Sequence, residues 1–297
     1  MPNSENPPRR DRAVAVGILL MVAAMLLFAG LDAIGKYLGR SYNIVEITWA
    51  RYFFHFLFVL ALVPKHGVGF VARVRRPWIQ AARASLLLVI SLLSFFTLKF
   101  LPLAEMAAIN ATTPLLVTAL SYVVLKERVG LRRWIAVAIG MVGVMVIIRP
   151  GLGMVDHAAF LALIVSICYA AYQIMTRWVS GFDSPETTIF YTGLVGAVVS
   201  SALVPWVWTP PTLEAWLLLV AVGLLGGGGH YLLIQALKRA PASVAAPFSY
   251  SHILWATGLG FAIFGDLPDG WTIAGALLIV GAGFYAWQTQ AIFARDA

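Results

Sequence analysis

The sequence predicts an all-α polytopic membrane protein of ten transmembrane helices, and three observations carry that prediction. Of 297 residues, 61% are apolar and 11% charged, against roughly 25% charged in soluble domains. The mean hydropathy is +0.86. The apolar residues lie in long runs, and at about 20 residues per crossing ten crossings consume nearly the whole chain. Too few polar side chains exist to coat a soluble enzyme or a nucleic-acid-binding domain, despite a net charge of +8. The charges form short basic clusters between apolar runs, a pattern suited to loops facing anionic lipid head groups.

Taken in order, residues 1–12 form a polar segment, and Arg9, Arg10 and Arg12 precede an uncharged stretch at 13–31. That stretch imitates a signal peptide but exceeds the signal's usual apolar core of about 7–15 residues. Asp32, Gly35 and Lys36 follow it, so it reads as a retained first helix at 13–37. Runs bounded by charge, Pro or Gly then place helices at 44–64, 78–99, 102–125, 132–149, 157–179, 186–206, 213–237, 241–264 and 271–292. Pro114 and Pro247 interrupt the fourth and ninth helices, and freed carbonyls there need a partner or a cavity. The sixth helix carries the lone Cys168, which rules out an intrachain disulfide. In the eighth, Gly226 to Gly229 precede His230. Four glycines cost on the order of 3–4 kcal/mol relative to alanine in a helix, which leaves two readings, close helix packing or a hinge.

Lysine and arginine placement sets the orientation. With the N-terminus inside, Arg9, Arg10, Arg12, Lys65, Arg73, Arg75, Arg76, Lys126, Arg128, Arg132, Arg133, Arg177, Lys238, Arg239 and Arg295 are cytoplasmic. Lys36, Arg40, Lys99 and Arg149 face out, and Arg51 and Arg83 lie within helices. Both termini are expected in the cytoplasm. Most tryptophans fall at helix ends, where an amphipathic ring suits the interface. Trp255 falls near the middle of the ninth span.

The halves match each other. Phe28 to Lys36 aligns with Tyr169 to Arg177 at an offset of 141, and Ala61-Leu-Val-Pro64 recurs as Ala202-Leu-Val-Pro205. Lys99, Pro102 and Glu127 match Lys238, Pro241 and Asp266 at 139. Five spans per half is an odd number, so the second half (157–292) enters the membrane inverted relative to the first (13–149). Inverted repeats are the signature of alternating-access transporters.

Leu98-Lys-Phe-Leu-Pro-Leu-Ala-Glu-Met-Ala-Ala108, Pro114 to Glu127 and Gly140-Met-Val-Gly-Val144 resemble the EamA module of the drug/metabolite transporter superfamily. Leu237 to Ala246 resembles its second copy, and Arg51-Tyr-Phe-Phe the family's second-helix pattern. The resemblance covers nearly the whole chain. It implies a bacterial inner-membrane exporter of small metabolites, with amino acids, including aromatic ones, as the leading substrates.

Ionisable residues within spans need partners or water. Asp32 and Arg51 lie at similar depth either side of a turn near Ser41, as do Lys36 and Glu46, which predicts two stacked ion pairs between the first two helices. Arg177 and Glu186 would repeat the outer pair, with Gln173 in place of Asp32. A helix-clamping role and a gating or proton-coupling role for Asp32 both stand. Asn110 and Thr113 share a face and map onto Ser249 and His252. These pairs are polar glue between helices or the wall of a cavity that Trp255, one turn away, would complete. Tyr169, Gln173 and His230 join them as candidate substrate-binding residues.

No Walker loop, His-Glu-x-x-His or cysteine cluster is present, so no ATP site, metal or cofactor is expected, and the lipid bilayer and a small metabolite are the expected partners. A monomer suffices for this mechanism. The rival readings are an intramembrane enzyme for lipid or isoprenoid substrates and a passive channel. The first calls for clustered carboxylates or histidines at the membrane face, a pattern the basic loops lack.

Overall fold

The computed structural model describes residues 7–62, 74–126, 129–149 and 155–293. Pro64, Lys65, Arg73, Glu127, Arg128 and Arg295, used in the charge count and repeat above, lie outside the described residues. Every regular element described is helical. The first half comprises α1 (Pro7–Leu38), α2 (Ile44–Leu62), α3 (Pro77–Thr97), α4 (Leu103–Asn110), α5 (Thr113–Val124) and α6 (Leu131–Ile148). The second comprises α7 (Val155–Val179), α8 (Pro185–Leu203), α9 (Leu213–Arg239), α10 (Ala242–Ala245), α11 (Ser251–Phe264) and α12 (Gly270–Phe293), with a 3-10 segment at Ala246–Tyr250. Among the described residues, nine helices are long and apolar enough to cross a membrane, α4 and α5 counting together. This is a polytopic all-α membrane protein.

The fourth and ninth spans are broken. Pro114 has no N–H to give the carbonyl four residues back, that of Asn110. The Thr113 hydroxyl donates to it instead, at 2.7 Å, and Thr112 Oγ1 donates to the Ile109 carbonyl at 2.6 Å. In the ninth span, expected as one helix over 241–264, the 3-10 segment containing Pro247 separates α10 from a 14-residue α11. There Ser249 and Ser251 donate to the Ala246 and Phe248 carbonyls at 2.7 and 2.6 Å. Backbone groups in lipid must be satisfied within the chain, and at both breaks hydroxyls do it.

The packing corrects one sequence expectation. Consecutive antiparallel helices are expected to touch, but α9 inserts between α1 and α2, and α3 lies against both α7 and α8. The glycines of α9 make this insertion possible. A Cβ on Gly223 would meet Phe54 and the Ala50 carbonyl of α2, and one on Gly227 would fall 2.7 Å from Phe58. On the other side, a Cβ on Gly229 would lie 2.7 Å from Phe28 of α1. The helix runs unbroken through all four glycines, so they serve close packing and no unwound segment is present there. Small residues do the same where α6 meets α12: a Cβ on Gly143 would lie 2.8 Å from the Gly275 carbonyl.

Candidate functional site

The wedge of α9 redirects the charges. Asp32 Oδ2 lies 3.5 Å from His252 Nε2, so α1 pairs with α11 and not with α2. Arg51 lies over the rings of Tyr52 and Phe95, with centroids at 5.6 and 5.8 Å, and no described carboxylate is within ion-pair distance of it. Lys36 meets Asp266 at 2.9 Å and donates to the Leu101 carbonyl at 3.1 Å. Glu46 is fully buried, and its Oε2 accepts from the Thr209 amide at 3.2 Å. The expected Asp32–Arg51 and Lys36–Glu46 pairs are therefore absent, because α9 stands between their helices. Glu186 likewise meets Lys238, at 2.8 Å, in place of Arg177.

Around this junction several expected residues converge. Tyr169 of α7 is in electrostatic reach of both Asp32 and Arg51 and stacks on Tyr172 at 5.7 Å. His230 of α9 packs edge-on against Phe28 at 5.1 Å and lies 5.8 Å from the ring of His55. It too is in reach of Arg51. His55 is buried, with Nε2 unpartnered among the described residues. Asp32, Arg51, Tyr169, His230 and His252 are all half-buried. Gln173, one turn along α7 from Tyr169, is half-buried as well.

Other expected members are less available. Asn110 is half-buried, and its Oδ1 accepts from Ser166 of α7 at 2.9 Å. Thr113 is buried, and both it and Ser249 direct their protons to their own backbone, leaving only lone pairs for a ligand. Trp255 is 36% exposed. It stands one turn beyond Ser251 and His252 on α11, the arrangement expected from the spacing.

Sequence reasoning missed His55, Tyr172 and the role of Arg83. His55 follows Arg51 by four residues and Tyr172 follows Tyr169 by three, so helical spacing put both on the faces already under discussion. Arg83 of α3 is fully buried. It donates to Gln80 at 3.1 Å, to the Tyr172 hydroxyl at 2.8 Å, and to the Thr188 carbonyl and Thr192 hydroxyl at 2.8 and 2.7 Å. Gln80 passes the contact on to Asp183 at 2.9 Å. This arginine is held by neutral acceptors with a carboxylate one step away, which makes it a structural clamp.

The comparisons agree with a transporter built this way. A solved crystal structure superposes with a TM-score of 0.66 at 20% identity, covering 95% of this chain and 99% of its own, which shows the fold. The S-adenosylmethionine uptake transporter of Rickettsia bellii is 26% identical over 92% of this chain and 94% of its own length. The riboflavin transporter of Vibrio cholerae is 26% identical, with the same coverage of 92% and 94%. The pseudopaline exporter of Pseudomonas aeruginosa is 26% identical over 90% and 94%. The model of the EamA-like transporter family matches twice, at residues 15–149 and 157–286. The chain belongs to the EamA-like transporter family, as a multi-pass bacterial membrane transporter of small metabolites and not an enzyme.

Proposed function

We propose that the chain carries small zwitterionic metabolites, foremost amino acids including aromatic ones, outward across a bacterial inner membrane by alternating access. One observation carries the substrate class. Asp32, bridged to His252, and Arg51, free of any described carboxylate, present opposite charges at one helix junction. A ligand's amino group suits Asp32, its carboxylate suits Arg51, and an apolar or aromatic side chain suits Tyr169 and Trp255. A site with a few oriented polar groups in apolar walls is the usual small-molecule arrangement.

Alternating access is supported by packing that recurs between halves: α9 against α1 and α2, then α3 against α7 and α8, with α6 against its counterpart α12. In this reading residues 13–149 and 157–292 are inverted repeats that rock about the site. Outward flow is supported by the resemblance to ten-helix exporters and by an exporter among the relatives. The excess of basic residues supports cytoplasmic termini.

The test is counterflow of labelled amino acids in liposomes, measured in both directions. Saturable counterflow is expected in the wild type, and its loss is expected in folded Asp32→Asn and Arg51→Gln, with altered preference between large and small substrates in Trp255→Ala. Wild-type flux and selectivity in all three variants would overturn the site, and unsaturable flux would indicate a channel. For orientation, an impermeant thiol reagent on intact cells should label Tyr42→Cys and spare Arg75→Cys, both in a Cys168→Ser background.

A further inference from the structure

Lys99 and Lys238 occupy matching places in the two halves, at an offset of 139, but their surroundings differ. Lys238 meets Glu186 at 2.8 Å. Glu46 of the first half stands within one residue of the place corresponding to Glu186. It is fully buried and turned to the Thr209 amide, so it does not serve Lys99. No described carboxylate is within ion-pair distance of Lys99 or of Arg40.

These two cations line one cleft, together with Lys36, Phe100, Pro102 and Asp266. Lys36 is already committed to Asp266 and to the Leu101 carbonyl. Asp266 is held in place by the turn that ends α11: Gly265 adopts φ +73, and the Asp266 amide donates to the Gly260 carbonyl at 3.2 Å. The one carboxylate of the cleft is thereby spoken for. Arg40 lies over the Phe264 ring at 4.9 Å, a contact that leaves the guanidinium edge open. The N-terminus of α4 opens at Pro102 with no side-chain cap, which adds the positive end of a helix to the same place. Phe100, 60% exposed, supplies an apolar flank.

We propose that this cleft binds the carboxylate or phosphate group of a molecule from outside the chain, held by Arg40 and Lys99 beside the Lys36–Asp266 pair. The site is separate from the junction around Asp32 and does not depend on which substrate crosses there. Two sources supply such a group, a soluble organic anion and an anionic lipid head group.

The test reads the cleft's charge without any transport. In a Cys168→Ser background, Phe100→Cys is reacted with an anionic and a cationic thiosulfonate, and Trp206→Cys, 83% exposed, serves as control. The anionic reagent is expected to be favoured by roughly tenfold more at position 100 than at 206, as a focused positive field requires. Adding Arg40→Gln and Lys99→Gln should abolish the preference. In phosphatidylcholine nanodiscs, saturable slowing by inorganic phosphate identifies a soluble-anion site. In phosphatidylglycerol nanodiscs, slowing without added phosphate identifies a lipid site. An equal reagent preference at both positions, or no slowing in either nanodisc, overturns the proposal.

Discussion

Two helices of this protein are wedges, and they do the job by opposite chemistry. Helix α9 enters between α1 and α2 on glycines, and its one polar contribution there is His230, packed on Phe28 and facing His55. Helix α3 contacts α7 and α8 through a fully buried arginine that bonds to both. A glycine face gives close approach with few directional contacts, whereas three hydrogen bonds donated across to α7 and α8 fix α3 in one register. The half-buried Asp32, Arg51 and His252 collect beside the glycine wedge, on the loosely tied side. The arginine wedge is the rigid frame, and the glycine wedge borders the proposed site.

Arg83→Met is the most severe way to break that contrast. It strands the Tyr172 hydroxyl and Gln80 Oε1, whereas the Thr192 hydroxyl keeps its bond to the Thr188 carbonyl, and each buried unsatisfied group costs about 1–3 kcal/mol. Loss of monodisperse folded protein is expected, or a thermal midpoint in detergent far below that of any variant in α9. A midpoint within error of wild type would show that Arg83 clamps nothing.

Gly223→Ala comes next. Its new methyl would press on Phe54 and the Ala50 carbonyl, and over-packing of this kind costs about 1–3 kcal/mol. Gly258→Ala in α11 is the matched control, because nothing lies within 4 Å of a Cβ there. That change should be neutral or stabilising by up to about 1 kcal/mol. Equal effects at the two positions would mean that α9 is not wedged.

How much of this was legible beforehand follows the same division. Helix existence was written in the apolar runs, and the two breaks in Pro114 and Pro247, because a missing N–H is a local property. The partners of Asp32 and Lys36 were not legible. Their placement rested on the rule that consecutive helices touch, and only the non-local insertion of α9 between them breaks that rule. The glycines at 226–229 carried the clue, since a helix with glycine on two faces has neighbours on two faces. Repeat matching and depth pointed to His252, Tyr169 and His230, and the structure sets His252 beside Asp32. Arg83 was visible as a cation within a span, but beyond Gln80 on its own helix its acceptors come from two other helices, α7 and α8, and no spacing in the sequence joins them.

Asp32 should behave unlike Arg83. It is half-buried and 3.5 Å from His252, so in Asp32→Asn the amide keeps a polar group facing the histidine. A stability change below about 1 kcal/mol is expected, as for most substitutions that strand no buried partner. In a double-mutant cycle on thermal stability, Asp32 and His252 should couple, by about 0.5 kcal/mol or more. Independent, additive losses for that pair would remove the α1–α11 bridge from the proposed site.

The mildest contrast sets Arg83 against another arginine. Arg149 ends α6 and meets Asp269 at 2.6 Å, but Asp269 is 46% exposed, so water and salt screen the pair to about 0–1 kcal/mol. Burial pulls the Asp269 carboxyl up, but hydrogen bonds from the Thr272 amide and side chain and from Arg149 outweigh it and hold the carboxyl below its ordinary value. A carboxylate depressed on folding adds stability at pH above its unfolded value, and that stability is lost as pH falls through the folded value. The gap in thermal midpoint between wild type and Asp269→Asn should therefore be small at pH 7 and close on acidification through the carboxylate range near 4. No such closing is expected for Arg83→Met against wild type on account of Arg83 itself, whose direct partners are all neutral. A gap at Asp269 that ignores pH would mean that its role is the amide-accepting cap of α12 alone, with no contribution from its charge.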